Sequence, residues 1–224
     1  MRHPLSFVSL LCVLIAALPA CDGGGTSAGD GGSSPSTCEP TALECSYPET
    51  GYGASIGDTV PPLDLPRCDG TCAGYPHAGL CGASNLVPTD AVRLSVITVA
   101  AGWCVPCRAE SALLSERISD VYREDGVEVI QILTQQDDYT PVNSAYCNAW
   151  TDTYDLARDN FTQLMDPDSA SQSLWPGGTL PVTYIVGANG EIIYKVTGAD
   201  DELTGLQTQI DTALCERFDV RCGA

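Results

Sequence analysis

The chain has 224 residues, 12 cysteines, 29 acidic side chains and 10 basic ones, with a formal charge of −19 and one lysine, Lys195. That balance excludes nucleic-acid binding through a general basic surface, and 44% apolar residues exclude disorder by composition. The cysteine count is foreign to an ordinary reducing cytosol. At the N-terminus, Met1-Arg2-His3-Pro4 leads into an apolar run from Leu5 to Leu18, then Pro19-Ala20-Cys21. A basic start, a short apolar stretch and a small residue before a cut site predict a secretory signal peptide over residues 1–20. The run falls short of the ~20 residues of a membrane-spanning helix.

Leu18-Pro19-Ala20-Cys21 resembles a bacterial lipobox, in which the cysteine is lipidated and becomes the first mature residue; Pro19 departs from the usual small residue there. Cys21 is therefore the expected lipidation site, and the stretch to Thr37, rich in Gly, Ser, Thr and Asp, reads as a flexible tether. A Cys-bearing lead-in follows, so that 21–51 is linker and 52–224 is the folded domain.

Val60, Leu63 and Leu65, flanked by prolines, predict a short edge strand. The mostly apolar run Val92–Ala101 predicts a buried central strand. From Cys104 the period changes: Val105, Ala109, Ala112, Leu113, Ile118 and Val121 recur at helical spacing until Gly126, a C-terminal stop. Val127–Leu133 is a second buried strand. Asn143–Leu156 is a helix, with Tyr146, Trp150 and Tyr154 on one packed face. Val182–Val186 and Glu191–Val196 form a hairpin about Asn189-Gly190. Glu202–Cys215 is an amphipathic closing helix. Strand, helix, strand, helix, hairpin, helix describes an α/β domain with a mixed sheet.

The sharpest motif is Trp103-Cys104-Val105-Pro106-Cys107-Arg108, at a strand-to-helix junction. A cysteine at a helix N-terminus meets unpaired amides and the positive end of the helix dipole, which favour its thiolate. Two intervening residues bring the second sulfur within reach. The Cys104 thiolate attacks a disulfide, and Cys107 resolves the resulting mixed disulfide.

On these residues the chain resembles the thioredoxin superfamily, and within it the extracytoplasmic lipoproteins of the TlpA/ResA type with their redoxin-like domain. The match is carried by Ile56-Gly-Asp-Thr-Val-Pro-Pro-Leu-Asp-Leu, by Trp103-Cys104-Val105-Pro106-Cys107-Arg108-Ala109-Glu110, and by Thr179-Leu180-Pro181-Val182-Thr183. It covers roughly residues 52–215. The resemblance implies a thioredoxin-like fold, a cis bond before Pro181 facing the cysteine pair, and Trp103, Val105, Pro106 and Leu180 flanking the site. It implies that Glu110 shuttles protons or raises the thiol pKa values; a solvated first-turn glutamate is the alternative. Thioredoxin has a buried aspartate six residues before its first cysteine, where this chain has Thr98. The family often has a helix-kinking proline soon after Glu110, and Ser111 and Ala112 give no kink signal.

The other mature cysteines, Cys38, Cys45, Cys68, Cys72, Cys81, Cys147, Cys215 and Cys222, read as structural disulfides. Loop spacing suggests Cys215–Cys222, Cys68–Cys81 and Cys38–Cys45, leaving Cys72 with Cys147. A competing reading takes Cys68, Cys72, His77 and Cys81 as zinc or copper ligands, as in a metal-binding or copper-chaperone-like module. A thiol peroxidase on the same fold would need a threonine where Ala101 stands.

The leading expectation is a membrane-tethered extracytoplasmic thiol–disulfide oxidoreductase on the periplasmic side. It has no assigned metal ligand and no cofactor beyond the Cys104–Cys107 disulfide. Its expected partners are exported protein thiols and disulfides and a membrane redox partner. The resemblance leans towards reduction as the direction.

Overall fold

The computed structural model describes residues 38, 47–75, 92–198, 200 and 202–223. The signal-peptide region, Cys21, Cys45, His77 and Cys81 lie outside the described residues.

Five strands form a mixed sheet in the order β5-β4-β3-β6-β7. Its centre is β3 (Leu94–Ala100), an unbroken run of seven buried residues. It pairs in parallel with β4 (Val127–Leu133) and antiparallel with β6 (Val182–Gly187). Burial on both faces is the reason these segments read as mostly apolar runs. The hairpin partner β7 (Ile192–Thr197) closes one edge. Its turn bonds Gly190 N–H to the Gly187 carbonyl, with Gly190 at φ +82°.

On the opposite edge, β5 (Phe161–Met165) runs parallel to β4. This strand is absent from the sequence reading: Phe-Thr-Gln-Leu-Met lacks both a continuous apolar run and clean alternation. The predicted edge strand near Val60 also differs. Leu63–Pro66 is β1 of a separate two-stranded antiparallel hairpin with β2 (Cys72–Tyr75), joined to the main sheet through an Arg67–Leu164 bridge.

The helix predicted to run from Cys104 to Gly126 is not one regular helix. α1 spans Val105–Leu114, opens into a π turn at Ser115–Ser119, regains one α turn at Asp120–Tyr122 and ends in a 3₁₀ turn at Arg123–Asp125. Side chains anchor the irregular turn without any proline: Ser115 Oγ donates to the Asp155 carbonyl (2.7 Å), and Ser119 Oγ to Asn160 Oδ1 (2.6 Å). π turns are rare and occur mostly as single-turn bulges inside α-helices, as here. Gly126 does stop the element, in the left-handed conformation at φ +75°. α2 (Ser144–Thr153) begins at Asn143, whose side chain accepts from Tyr146 N–H. α3 (Thr204–Phe218) ends at Asp219 and extends past its predicted limit. Among the described residues, no helix is long and apolar enough to cross a membrane.

Three of the four predicted structural pairings change. Cys38 bonds Cys72 and Cys68 bonds Cys147, while Cys215 bonds Cys222 as expected from its short loop. Cys38–Cys45, Cys68–Cys81 and Cys72–Cys147 are thereby overturned. Sequence proximity misled because the β1–β2 hairpin carries Cys68 to α2 and Cys72 back to the lead-in. Cys68 and Cys72 are spent in disulfides, which removes two of the four proposed zinc or copper ligands.

Candidate active site

The site grows from the end of β3. The backbone turns through Ala101 and Gly102, and Cys104 caps α1: its Sγ accepts from Cys107 N–H at 3.1 Å. Pro106 sits in the first helical turn, where its missing N–H costs no hydrogen bond. Cys104 and Cys107 are joined by a disulfide. Both are nearly covered, 3% and 1% exposed, whereas Val105 between them is 72% exposed.

Gly102 is required by close approach. Its N–H donates to the Gln135 carbonyl (2.7 Å), and a Cβ there would stand 2.8 Å from the Gln136 carbonyl carbon. This contact seats the loop 135–141 against the site. Trp103 donates from Nε1 to Gln135 Oε1 (2.8 Å), and its ring stacks on Tyr139 with centroids 5.1 Å apart. Arg108 ties the same parts together, donating to the Gly102 carbonyl (2.7 Å) and to Asp137 (2.6 Å); Asp137 also accepts from the Tyr146 hydroxyl. The aromatic face read on α2 is only partly packed. Trp150 is buried and donates to Gln131 Oε1 (2.9 Å), but Tyr146 and Tyr154 line a cleft of about 240 Å³ with Arg108 and Asp137.

Opposite the cysteines, the Leu180–Pro181 bond is cis. Val182 pairs with Val99 across β6 and β3, so Pro181 lies one step further along, opposite Ala100, at the strand end from which the Cys104 loop departs. Leu180 is buried.

Glu110 is 3% exposed, on the same buried side of α1 as Cys107 and Ser111. It is not a solvated first-turn residue. Oε1 accepts from Thr98 Oγ1 and from Thr183 Oγ1, both at 2.9 Å. Burial raises the Glu110 carboxyl above its ordinary value, the two threonine hydroxyls pull it back down, and Asp200 adds a smaller upward push. Thr98 and Thr183 are the functional candidates that sequence reasoning missed. In the sequence Thr98 stands out only as a departure from the thioredoxin aspartate, and Thr183 only as the end of the proline-loop motif. The available signal was a threonine inside each of two mostly apolar strands, and Ser95 in β3 carries the same signal without joining the site.

The sequence pattern of the Redoxin family matches residues 79–213, more than half of the chain. Residues of the chain are 30% identical over 99 residues to thiol-disulfide oxidoreductase ResA of Oceanobacillus iheyensis, covering 44% of this chain and 46% of that protein. The chain thus spans about half the length of that relative. It is 29% identical over 171 residues to thiol:disulfide interchange protein CycY of Rhizobium leguminosarum, covering 75% of this chain and 84% of that one. Among solved structures, one described as a putative thiol:disulfide interchange protein DsbE from Chlorobium tepidum superposes with a TM-score of 0.53 at 19% identity, over 71% of this chain and 98% of that one. At that identity the likeness carries the fold, which is thioredoxin-like.

Proposed function

The chain belongs to the redoxin family, and from that premise we propose that it is a thiol–disulfide oxidoreductase acting on protein thiols and disulfides. The observation that carries this reading is the Cys104–Cys107 disulfide at the N-terminus of α1, with an amide aimed at the Cys104 sulfur. In the reduced protein that amide and the helix dipole stabilise the Cys104 thiolate. The thiolate attacks a substrate disulfide, forming the Cys104–substrate bond and releasing one substrate thiolate. Glu110 takes the proton of the Cys107 thiol. The Cys107 sulfur then attacks Cys104, closing the intramolecular disulfide and releasing the second substrate thiolate. Residues three apart on a helix are neighbours, which places the Glu110 carboxyl on the Cys107 side. The cis Pro181 loop offers backbone for an extended substrate segment, and Trp103, Val105, Pro106 and Leu180 surround the approach. Each substrate disulfide reduced leaves the Cys104–Cys107 disulfide, and a second dithiol, supplied by the redox partner, must reduce it by thiol–disulfide exchange before the next cycle.

The N-terminal sequence supports export and tethering through a lipid on Cys21, with exported proteins as substrates and a membrane protein as the redox partner. Insulin reduction and reduced-RNase oxidation by the full chain test the activity. Loss of both in Cys104→Ser is the expected outcome; full retention of either would overturn the reading. Metabolic labelling with palmitate, lost in Cys21→Ser, tests the anchor.

A further inference from the structure

Three oxygens form a closed triangle beneath α1. Glu110 Oε1 lies 2.9 Å from Thr98 Oγ1 and 2.9 Å from Thr183 Oγ1, and the two hydroxyl oxygens are 3.0 Å apart. Thr98 is fully buried and Thr183 is 1% exposed. The threonines are direct cross-strand partners on β3 and β6, the strands whose ends carry Cys104 and Pro181. Their side chains are therefore held by the sheet, and their hydroxyls have only rotation about one bond with which to respond.

We propose that Thr98 and Thr183 are positioning residues that hold Glu110 as the proton acceptor of the resolving step. The proposal rests on the oxidoreductase reading above and deepens it. The hydrogens can be counted. With Glu110 ionised, two hydroxyl hydrogens fill two of the triangle's edges, both donated to Oε1. When Glu110 takes the Cys107 proton on Oε1, a third hydrogen enters. Glu110 then donates to one threonine, that threonine to the other, and the other back to Oε1. Each protonation state fills its donors without moving a heavy atom. A buried carboxylate left without such donors carries the full desolvation cost. The charged groups facing Glu110 agree in direction: Asp200, from the segment between β7 and α3, opposes its ionisation, so the hydroxyls are what favour the charged form.

The arrangement differs from simple packing in its response to isosteric change. Thr98→Val and Thr183→Val keep shape and lose the donor, whereas Thr98→Ser and Thr183→Ser keep the donor and lose a methyl. The Glu110 titration is read by carboxyl ¹³C NMR of the reduced full-length chain, with Glu110→Gln identifying the signal. Each valine variant should raise the Glu110 midpoint by about one pH unit and move the pH profile of the resolving step with it. The double serine variant should keep the wild-type midpoint. Valine variants with unmoved midpoints would overturn the proposal, and so would a serine variant that shifts as valine does. The serine arm decides even if a valine variant does not fold. A wild-type protein inactive on insulin and RNase would sink the oxidoreductase reading alone, because the carboxyl midpoint is read without turnover.

Discussion

Two kinds of cysteine pair share this domain, and their difference lies in chain separation and setting. Cys104 and Cys107 are three residues apart at the start of α1, just past the end of the central strand β3. Cys68 and Cys147 are 79 apart and bolt the β1–β2 hairpin to α2; Cys38 and Cys72 are 34 apart. In the loop-entropy account, closing the largest of these loops contributes about 4 kcal/mol and closing the smallest about 2 kcal/mol. The long-range pairs hold the scaffold in place. The local pair constrains little chain, so it can open and close while the sheet stays folded.

The comparison is broken most directly at the local pair. Cys104→Ser should abolish insulin reduction and leave the far-ultraviolet circular dichroism of the domain unchanged; Cys107→Ser should accumulate mixed disulfides, visible on non-reducing gels. The opposite pattern is expected at the scaffold. Replacing Cys68 and Cys147 together by alanine should lower unfolding free energy by about 4 kcal/mol, measured by urea denaturation, with activity retained wherever the protein is folded. Loss of activity in that fully folded variant would contradict the division of labour.

Gly102 joins the two regions, because its missing side chain lets the loop 135–141 reach the site. Gly102→Ala forces a methyl against the Gln136 backbone and should cost about 1–3 kcal/mol, with turnover falling as the Trp103–Tyr139 stack is displaced. The smallest effect is expected at Glu110. Its folded-state pKa is raised by burial, so the folded protein binds the proton more tightly than the unfolded chain. Its contribution is full below the unfolded-state value and is lost as pH rises through the raised folded-state value. Glu110→Gln should flatten that decline, so the wild type loses more stability than the variant when urea midpoints are compared from acid to neutral pH.

Local patterns revealed much of this domain. Leu94–Ala100 and Val127–Leu133 are mostly apolar because neighbours cover both faces, so burial shows in runs broken only by Ser95, Thr98, Glu128 and Gln131. Asn189-Gly190 marked the β6–β7 hairpin, and Gly126 marked the end of the helical segment. Phe161–Met165 was hidden because an edge strand carrying Gln163 has neither pattern. The π turn was hidden because its anchors, Asp155 and Asn160, lie far along the chain from Ser115 and Ser119. Cys68 found Cys147 rather than nearby Cys81 for a related reason: pairing follows the path of the β1–β2 hairpin, and spacing does not report that path.

By itself the sequence singled out the cysteine pair on which the proposed redox chemistry rests. A thiol, two residues and a second thiol at a strand-to-helix junction is a local arrangement, specified by adjacent residues and the dipole of the helix they begin. Only the tertiary structure decided what surrounds that pair. Glu110 became a buried carboxyl gripped by two hydroxyls because β3 and β6 align in a register that sets Thr98 beside Thr183. Register is a property of two strands 85 residues apart, and residue spacing along one segment cannot encode it.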